Sequence, residues 1–191
     1  DQTQDSEILK DVSGIIRSAR HAGEIVNKLM LFSCEVPFKL KRINANALVR
    51  KTVNMLEPVL NKEKVTVNLI ANEREQIFLE ADEVQLTQVF FNLLTNAIHA
   101  SSEGQSINLE IAQNNAHVTF LIRDFGTGIP DEIQDRIFEP FFTSKPVGKG
   151  NGLGLSVVHG IVQSHRGLVQ YCTEPGRGTT FKIELPIKSG I

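Results

Sequence analysis

The sequence lacks four features that would each point to a class of protein. Its longest apolar runs, such as Val89–Leu94, fall far short of the ~20 residues that cross a bilayer, and its N-terminus has no signal-peptide pattern. A formal net charge of -2 argues against a nucleic-acid binder, which would carry a basic excess. Only two cysteines occur, Cys34 and Cys172, without metal-ligand spacing around them. We therefore expect a soluble cytoplasmic protein in which both cysteines are reduced packing residues.

The first 37 residues do contain a regular apolar pattern. No proline occurs from Asp5 to about Phe32, and apolar residues recur at alternating spacings of four and three (Ile8, Val12, Ile15, Ala19, Ala22, Val26 and Leu29). This heptad stripe predicts a long α-helix within a helical bundle, and at least one partner helix is absent from the sequence. A helix that folds back on its own domain is the alternative.

Residues 38–191 show a different pattern, a compact alternation of strands and helices. Two strands are predicted to meet in a hairpin turn at Asn114 and Asn115. The pattern predicts an α/β fold, a two-layer sandwich of a mixed sheet and three helices. The predicted strands and helices are Phe38–Asn44, Ala45–Glu63, Val65–Ala71, Ile77–Ala81, Asp82–Ser101, the hairpin within Ser106–Phe125, Leu153–His165 and the hairpin Leu168–Pro186.

The predicted helix Asp82–Ser101 carries a line of amide side chains on an otherwise apolar surface. Polar residues recur at helical spacing, ending with Asn92, Asn96 and His99. Asparagine is a mediocre helix former, so two of them one turn apart in mid-helix need an explanation. Amide oxygens suit a hard cation such as the Mg²⁺ that accompanies a nucleotide. An ordinary polar helix face is the alternative.

Two glycine-containing segments follow this helix. In the first, Asp124 ends a strand ahead of Gly126 and Gly128, so its carboxylate could accept a hydrogen bond from a ligand amine such as that of adenine. An ordinary turn has the same composition. The second runs from Thr143 into a helix, and its glycines, hydroxyls and lysines predict a phosphate-binding lid. It matches neither the Walker nor the Rossmann glycine spacing.

These segments together resemble the sensor histidine kinases of bacterial two-component systems, within the superfamily of gyrase and chaperone ATPases. The resemblance covers about residues 38–187, and the leading helix resembles the second dimerisation helix. Five motifs stand in the order of that family: "QVFFNLLTNAIHAS" is similar to the asparagine box, "DFGTGIP" and "GNGLGLS" to the glycine boxes, "FEPFFTSK" to the phenylalanine box and "GRGTTF" to the last box.

The resemblance implies a role for individual residues. Asn96, with Asn92 beside it, would coordinate Mg²⁺, and Asp124 would receive the adenine amine. Lys145 and the backbone that follows it would contact phosphates, and Thr180 would support the base. The candidate nucleotide-binding residues are Asn92, Asn96, His99, Asp124, Gly126, Gly128, Thr143, Lys145, Lys149, Gly150, Gly152, Leu153, Gly154, Leu155 and Thr180.

The chain departs from the family in one important respect. Nothing before residue 40 matches the H-[ED]-x-x-[NT]-P box that holds the phosphoacceptor histidine. His21 has no acid beside it and no proline after it, so we do not expect it to be the acceptor. His117, His159 and His165 are expected to be structural. Arg166 stands where relatives have glycine.

The resemblance therefore implies a division at residue 37 and an incomplete kinase. Residues 1–37 would be part of a dimerisation region that forms a homodimer in the parent protein, and residues 38–191 the ATP-binding catalytic domain. The domain would bind ATP or ADP with Mg²⁺ and donate the γ-phosphoryl group to a histidine outside this chain, for transfer to a response regulator. The parent could be anchored in the inner membrane, with this segment in the cytoplasm. A free-standing ATPase, a serine-phosphorylating relative and a non-catalytic scaffold are the alternatives.

Overall fold

The structure is a computed structural model that describes residue 12 and residues 39–70, 76–144 and 152–188. The chain divides into two units, and the second begins at Lys39. The predicted N-terminal helix, Cys34, His21 and the proposed boundary at residue 37 lie outside the described residues. The account below therefore concerns the second unit.

The described residues form seven strands in two sheets. A five-stranded sheet has the order β2-β4-β5-β7-β6, in which β2 and β4 are parallel and all other neighbours are antiparallel. β1 and β3 form a separate antiparallel pair. The strands are β1 (Lys41–Asn44), β2 (Thr66–Ile70), β3 (Phe78–Ala81), β4 (Ser106–Gln113), β5 (His117–Arg123), β6 (Leu168–Glu174) and β7 (Gly178–Pro186).

Three α-helices and one short 3-10 helix complete the described domain: α1 (Ala45–Glu63), α2 (Glu83–Ala100), the 3-10 helix Asp131–Arg136 and α3 (Gly154–Ser164). Side-chain caps explain where the first two begin. Asn44 accepts a hydrogen bond from the backbone N–H of Ala47, and Asp82 accepts two from the first turn of α2. α1 ends where Lys64 adopts a left-handed conformation, with φ 53°.

The core lies between the helices and one face of the five-stranded sheet. Inward residues alternate along the strands with exposed ones, as in β5, where Val118, Phe120 and Ile122 are buried. The rings of Phe90 on α2 and Phe120 on β5 lie 4.8 Å apart and join the two layers. The predicted two-layer α/β fold is therefore confirmed.

The sequence-based prediction for Cys172 is wrong. Cys172 is unpaired as expected, but it is exposed rather than packed. It lies on β6, an edge strand whose residues alternate between half-buried and exposed positions, and it takes an exposed position beside Leu168 and Gln170. Its apolar neighbours in sequence suggested burial, but the period of two in a strand places alternate residues on opposite faces.

Candidate functional site

The amide line on α2 meets the start of α3. Asn92 donates from Nδ2 to the carbonyl oxygen of Gly154 at 3.1 Å, and its Oδ1 accepts from Gln88 Nε2 at 3.0 Å. Both ends of the Asn92 amide are therefore engaged by the protein itself. In this structure Asn92 fixes the first residue of α3 against α2.

Asn96 lies one turn further along α2 and is placed differently. It is half-buried, and its side chain makes no hydrogen bond to any described residue. A Cβ atom added to Gly154 would lie 4.0 Å from its Nδ2 and 3.8 Å from Asn92 Cγ, so the bare backbone of Gly154 lies over both asparagines. The Asn96 amide thus remains available for a ligand at the start of α3.

Among the residues that the structure describes, no side chain caps the N-terminus of α3. Leu153 occupies the cap position, is buried, and has no polar group with which to cap the helix. The first backbone N–H groups of any helix lack partners within the helix and carry the positive end of its dipole. Leu155, in this first turn, is half-buried. This helix start and the Asn96 amide together suit an anionic group with an associated cation.

Asp124 follows β5 and is only 4% exposed. Its Oδ1 accepts hydrogen bonds from the backbone N–H groups of Gly126, at 3.0 Å, and Thr179, at 3.2 Å. Its Oδ2 has no partner among the described residues. Burial raises the pKa of this carboxyl, and the bonds from Gly126 and Thr179 oppose that rise. One oxygen is therefore held by the backbone, and the other can accept from a ligand.

The glycines after Asp124 allow a close approach of backbone to backbone. A Cβ atom on Gly126 would overlap the carbonyl oxygen of Ala100, at the end of α2. Gly128 has a φ of 67°, and a Cβ there would overlap the carbonyl of Glu174. The N–H of Thr127 also donates to Ala100 O at 3.2 Å. The loop carrying Asp124 is thus pressed against the same helix that carries Asn92 and Asn96.

The predicted lid is only partly described. Gly152, with φ 65°, lies so close to the backbone of Phe141 and Phe142 that a Cβ atom would overlap both. We call this contact the neck. Phe141 has a φ of 66° and is 60% exposed. Thr143 is exposed just outside the neck, and three predicted phosphate contacts, Lys145, Lys149 and Gly150, lie outside the described residues.

Asp124 accepts a hydrogen bond from the backbone N–H of Thr179, the neighbour of Thr180, which is predicted to support the base. Strand alternation places Thr179 on the buried face of β7 with Phe181, and Thr180 on the opposite face, where its register partner on β5 is Arg123. Counting back by two from Phe181 could have found Thr179 in the sequence. His99 lies exposed in the last turn of α2.

The described residues contain no group of three or more His, Cys, Asp or Glu side chains that could hold a metal ion. None of the helices formed by these residues has the length and apolar character that a bilayer crossing requires.

Comparison with known proteins gives three kinds of match. Residues 81–189 match the family model described as histidine kinase-, DNA gyrase B- and HSP90-like ATPase. The chain is 35% identical to the sensor kinase CckA of Brucella abortus over 92% of this chain and 20% of that protein. It is 32% identical to the sensor histidine kinase ZraS of Escherichia coli over 90% of this chain and 36% of that protein. The chain thus spans well under half the length of these relatives.

Solved structures resemble the fold as well. The catalytic domain of the histidine kinase ThkA aligns with a TM-score of 0.70 and 30% identity, covering 79% of this chain and 97% of that domain. The full-length ShkA in complex with AMPPNP aligns with a TM-score of 0.77 and 25% identity, covering 88% of this chain and 36% of that protein.

Proposed function

Because the chain belongs to the histidine kinase-, DNA gyrase B- and HSP90-like ATPase family, we propose that residues 38–191 bind MgATP as the catalytic part of a sensor histidine kinase. Sensor kinases among the relatives, and a similar structure that was solved with AMPPNP, support the proposal. The observation that carries it is the Asp124 carboxylate, which has one oxygen held by two backbone N–H groups and the other without a partner among the described residues.

Asp124 would recognise the base. Its Oδ2 is an acceptor in a buried position, and the exocyclic amine of adenine is a donor of matching polarity. Guanine has a carbonyl oxygen at the equivalent position. This oxygen and the carboxylate are both hydrogen-bond acceptors, so they would repel each other. The site would therefore prefer ATP to GTP, provided that Asp124 is ionised.

Asn96 and the start of α3 would hold the phosphates and the metal. The Asn96 amide fits a Mg²⁺ ligand because it is a neutral oxygen donor without another partner among the described residues. When bound, Mg²⁺ would neutralise phosphate charge. Asn92 would keep α3 in place through its bond to Gly154. Lys145, Lys149 and Thr143 remain candidates for phosphate contacts.

The reaction would be transfer of the γ-phosphoryl group to a histidine nitrogen that this chain does not supply. Phosphoryl transfer depends on positioning and charge stabilisation more than on covalent help from the protein. The role of the described residues would be to orient the triphosphate between Asp124, Asn96 and the first turn of α3. The accepted phosphoryl group would then pass to a response-regulator aspartate. We place this domain in the cytoplasm and expect the parent to dimerise through residues 1–37.

Calorimetry with ATP, ADP and GTP, with and without Mg²⁺, tests the binding step. We expect ATP and ADP to bind, and Asn96→Ala to weaken the Mg²⁺-supported affinity for ATP by about tenfold, near 1.4 kcal/mol. Asn54→Ala is the matched control, because Asn54 is exposed on α1. If no adenine nucleotide binds with or without the metal, the proposal is wrong.

Labelled ATP tests the transfer step. We expect no label on this chain alone, and label on a protein that carries the H-[ED]-x-x-[NT]-P helix when the two are mixed. Label that accumulates on this chain and disappears in His21→Ala would contradict the assignment of an external acceptor. Sustained ATP turnover without any added histidine domain would instead favour a free-standing ATPase.

A further inference from the structure

Helices α2 and α3 run antiparallel and are tied together at both ends of α3. At the site, Asn92 bonds the carbonyl of Gly154, the first residue of α3. At the far end, the backbone N–H of Asp82 donates to Nε2 of His165 at 3.0 Å. The 11 residues of α3 separate these two ties by ~16 Å at the helical rise.

The partners of His165 determine its protonation state. The ring is buried, with 2% of the residue exposed, and its Nδ1 lies 2.8 Å from the carbonyl oxygen of Ile161. A carbonyl can only accept, so Nδ1 carries the proton, and Nε2 must accept from the Asp82 N–H. The contact therefore requires a neutral imidazole in one tautomer.

Asp82 connects this far tie to the rest of α2. Its Oδ1 accepts from the N–H groups of Val84 and Gln85 and so caps α2, while its Oδ2 accepts from the N–H of Lys39 at 3.0 Å. The residue that caps the asparagine-bearing helix is thus the residue held by His165. A shift of Asp82 relative to His165 would move α2 along α3.

We propose that His165 is a positioning residue for the nucleotide site. It holds the N-terminus of α2 against the C-terminus of α3. The inference rests on the proposed nucleotide binding. His165 contacts the backbone of Asp82 and Ile161, so it would act on a bound nucleotide only indirectly. It acts through α2 and α3, whose relative position sets how Asn92, Asn96 and the backbone of Gly154 meet.

Protonation of His165 would break the far tie. A proton on Nε2 would place two donors face to face, the ring N–H and the backbone N–H of Asp82. Burial lowers the pKa of His165, while the Ile161 carbonyl and the Asp82 carboxylate oppose that shift. Asp82 is the charged group that acts on the ring from the start of α2, and exposed Arg166 follows it in the chain. Neutrality is thus favoured near pH 7.

Two variants separate positioning from simple packing. His165→Gln offers an acceptor that does not titrate, whereas His165→Leu fills the space without any acceptor. At about pH 8 we expect His165→Leu to bind ATP about tenfold more weakly than wild type, and His165→Gln to stay within about threefold. His117→Gln is the control, because His117 is exposed on β5.

The dependence of ATP affinity on pH is a second measurement. It would not be altered by His165 if that residue only filled space in the core. As the pH falls from about 7.5 through the lowered pKa of His165, we expect wild type and His117→Gln to lose more ATP affinity than His165→Gln. Titration of Asp124 affects all three proteins, so the difference between profiles isolates His165. Exchange of the Asp82 amide hydrogen, measured without nucleotide, should be faster in His165→Leu than in wild type.

The outcomes distinguish the two hypotheses. If wild type does not bind ATP, the proposed function fails, whatever the amide exchange shows. If wild type binds and a folded His165→Leu binds equally well at about pH 8, the positioning role is wrong. If His165→Leu does not fold, the comparison of wild type with His165→Gln decides, and coincident pH profiles reject the role.

Discussion

The substitution Asp124→Asn changes the polarity of one atom at the proposed base site and leaves the local fold intact. The amide oxygen of asparagine can still accept from the N–H groups of Gly126 and Thr179, at the positions that Oδ1 now holds at 3.0 and 3.2 Å. The Nδ2 group then takes the place of Oδ2. The adenine amine would then face an N–H donor in place of an ionised oxygen acceptor.

The expected loss of ATP affinity follows from the bond that is removed. A hydrogen bond to a charged group contributes about 1.5–3 kcal/mol, which corresponds to roughly 10- to 100-fold in affinity. GTP should lose less or gain, because its carbonyl oxygen can accept from the new Nδ2. The ratio of ATP to GTP affinity should therefore fall, and where GTP binding improves it should fall by more than the ATP affinity alone.

Competition titration of the two nucleotides against a fluorescent analogue, at a pH where Asp124 is ionised, measures this ratio. Asp135→Asn is the matched control, since Asp135 is exposed in the 3-10 helix. A folded Asp124→Asn protein that binds ATP as tightly as wild type would refute the assignment of Asp124 to the base.

Thermal unfolding of the same variant provides an independent check. Burial raises the folded-state pKa of Asp124. The ionised carboxylate is therefore less stable in the folded protein than in the unfolded chain. The destabilisation from this carboxylate grows as the pH rises from the ordinary aspartate range through the raised value, and is complete above it. Because asparagine carries no charge, we expect its melting temperature at neutral pH to match or exceed that of wild type.

Three further results are expected. Gly126→Ala should destabilise the domain by about 2 kcal/mol or more in denaturant titration, because the new Cβ atom would overlap the carbonyl of Ala100; an unchanged midpoint would contradict that contact. Gly160→Ala is its control and should stabilise the domain by about 0.5–1 kcal/mol, since Gly160 lies within α3 with nothing within 4 Å of an added Cβ. The lowered pKa of His165 means that the unfolded chain binds its proton more readily, so the free energy of unfolding should fall as the pH drops below about 6.5, and His165→Gln should reduce that slope.

Local patterns in the sequence were sufficient to predict most of the helices and strands. α1 was predicted with its observed bounds, Ala45–Glu63, because its cap and apolar spacing are local signals. Asn114 accepts hydrogen bonds from the N–H groups of Ala116 and His117, which explains the predicted hairpin turn. β1 is shorter than predicted, because it pairs among the described residues with β3, which has four residues. The 3-10 helix that begins at Asp131 is not among the predicted elements, although a proline followed by acidic residues is a helix-start signal.

Some features of the site could likewise be predicted from local sequence patterns, whereas others depend on contacts between distant residues. Helical spacing alone placed Asn92 and Asn96 on one line. The bond from Asn92 to Gly154, however, joins residues 62 positions apart and depends on how α2 packs against α3. The contact of His165 with the backbone of Asp82 spans 83 positions and leaves no periodic signal. Long-range contacts of this kind are set by tertiary packing, which one sequence without relatives does not encode locally.

The neck between Gly152 and the Phe141–Phe142 backbone has a consequence for engineering. Phe142 and Gly152 are held close together, so any segment that joins them has to close between two fixed points. The entropy of closing such a loop grows only with the logarithm of its length, and a doubling costs about 0.6 kcal/mol. Segments of other lengths and compositions should therefore be transplantable between these two points without redesigning the domain.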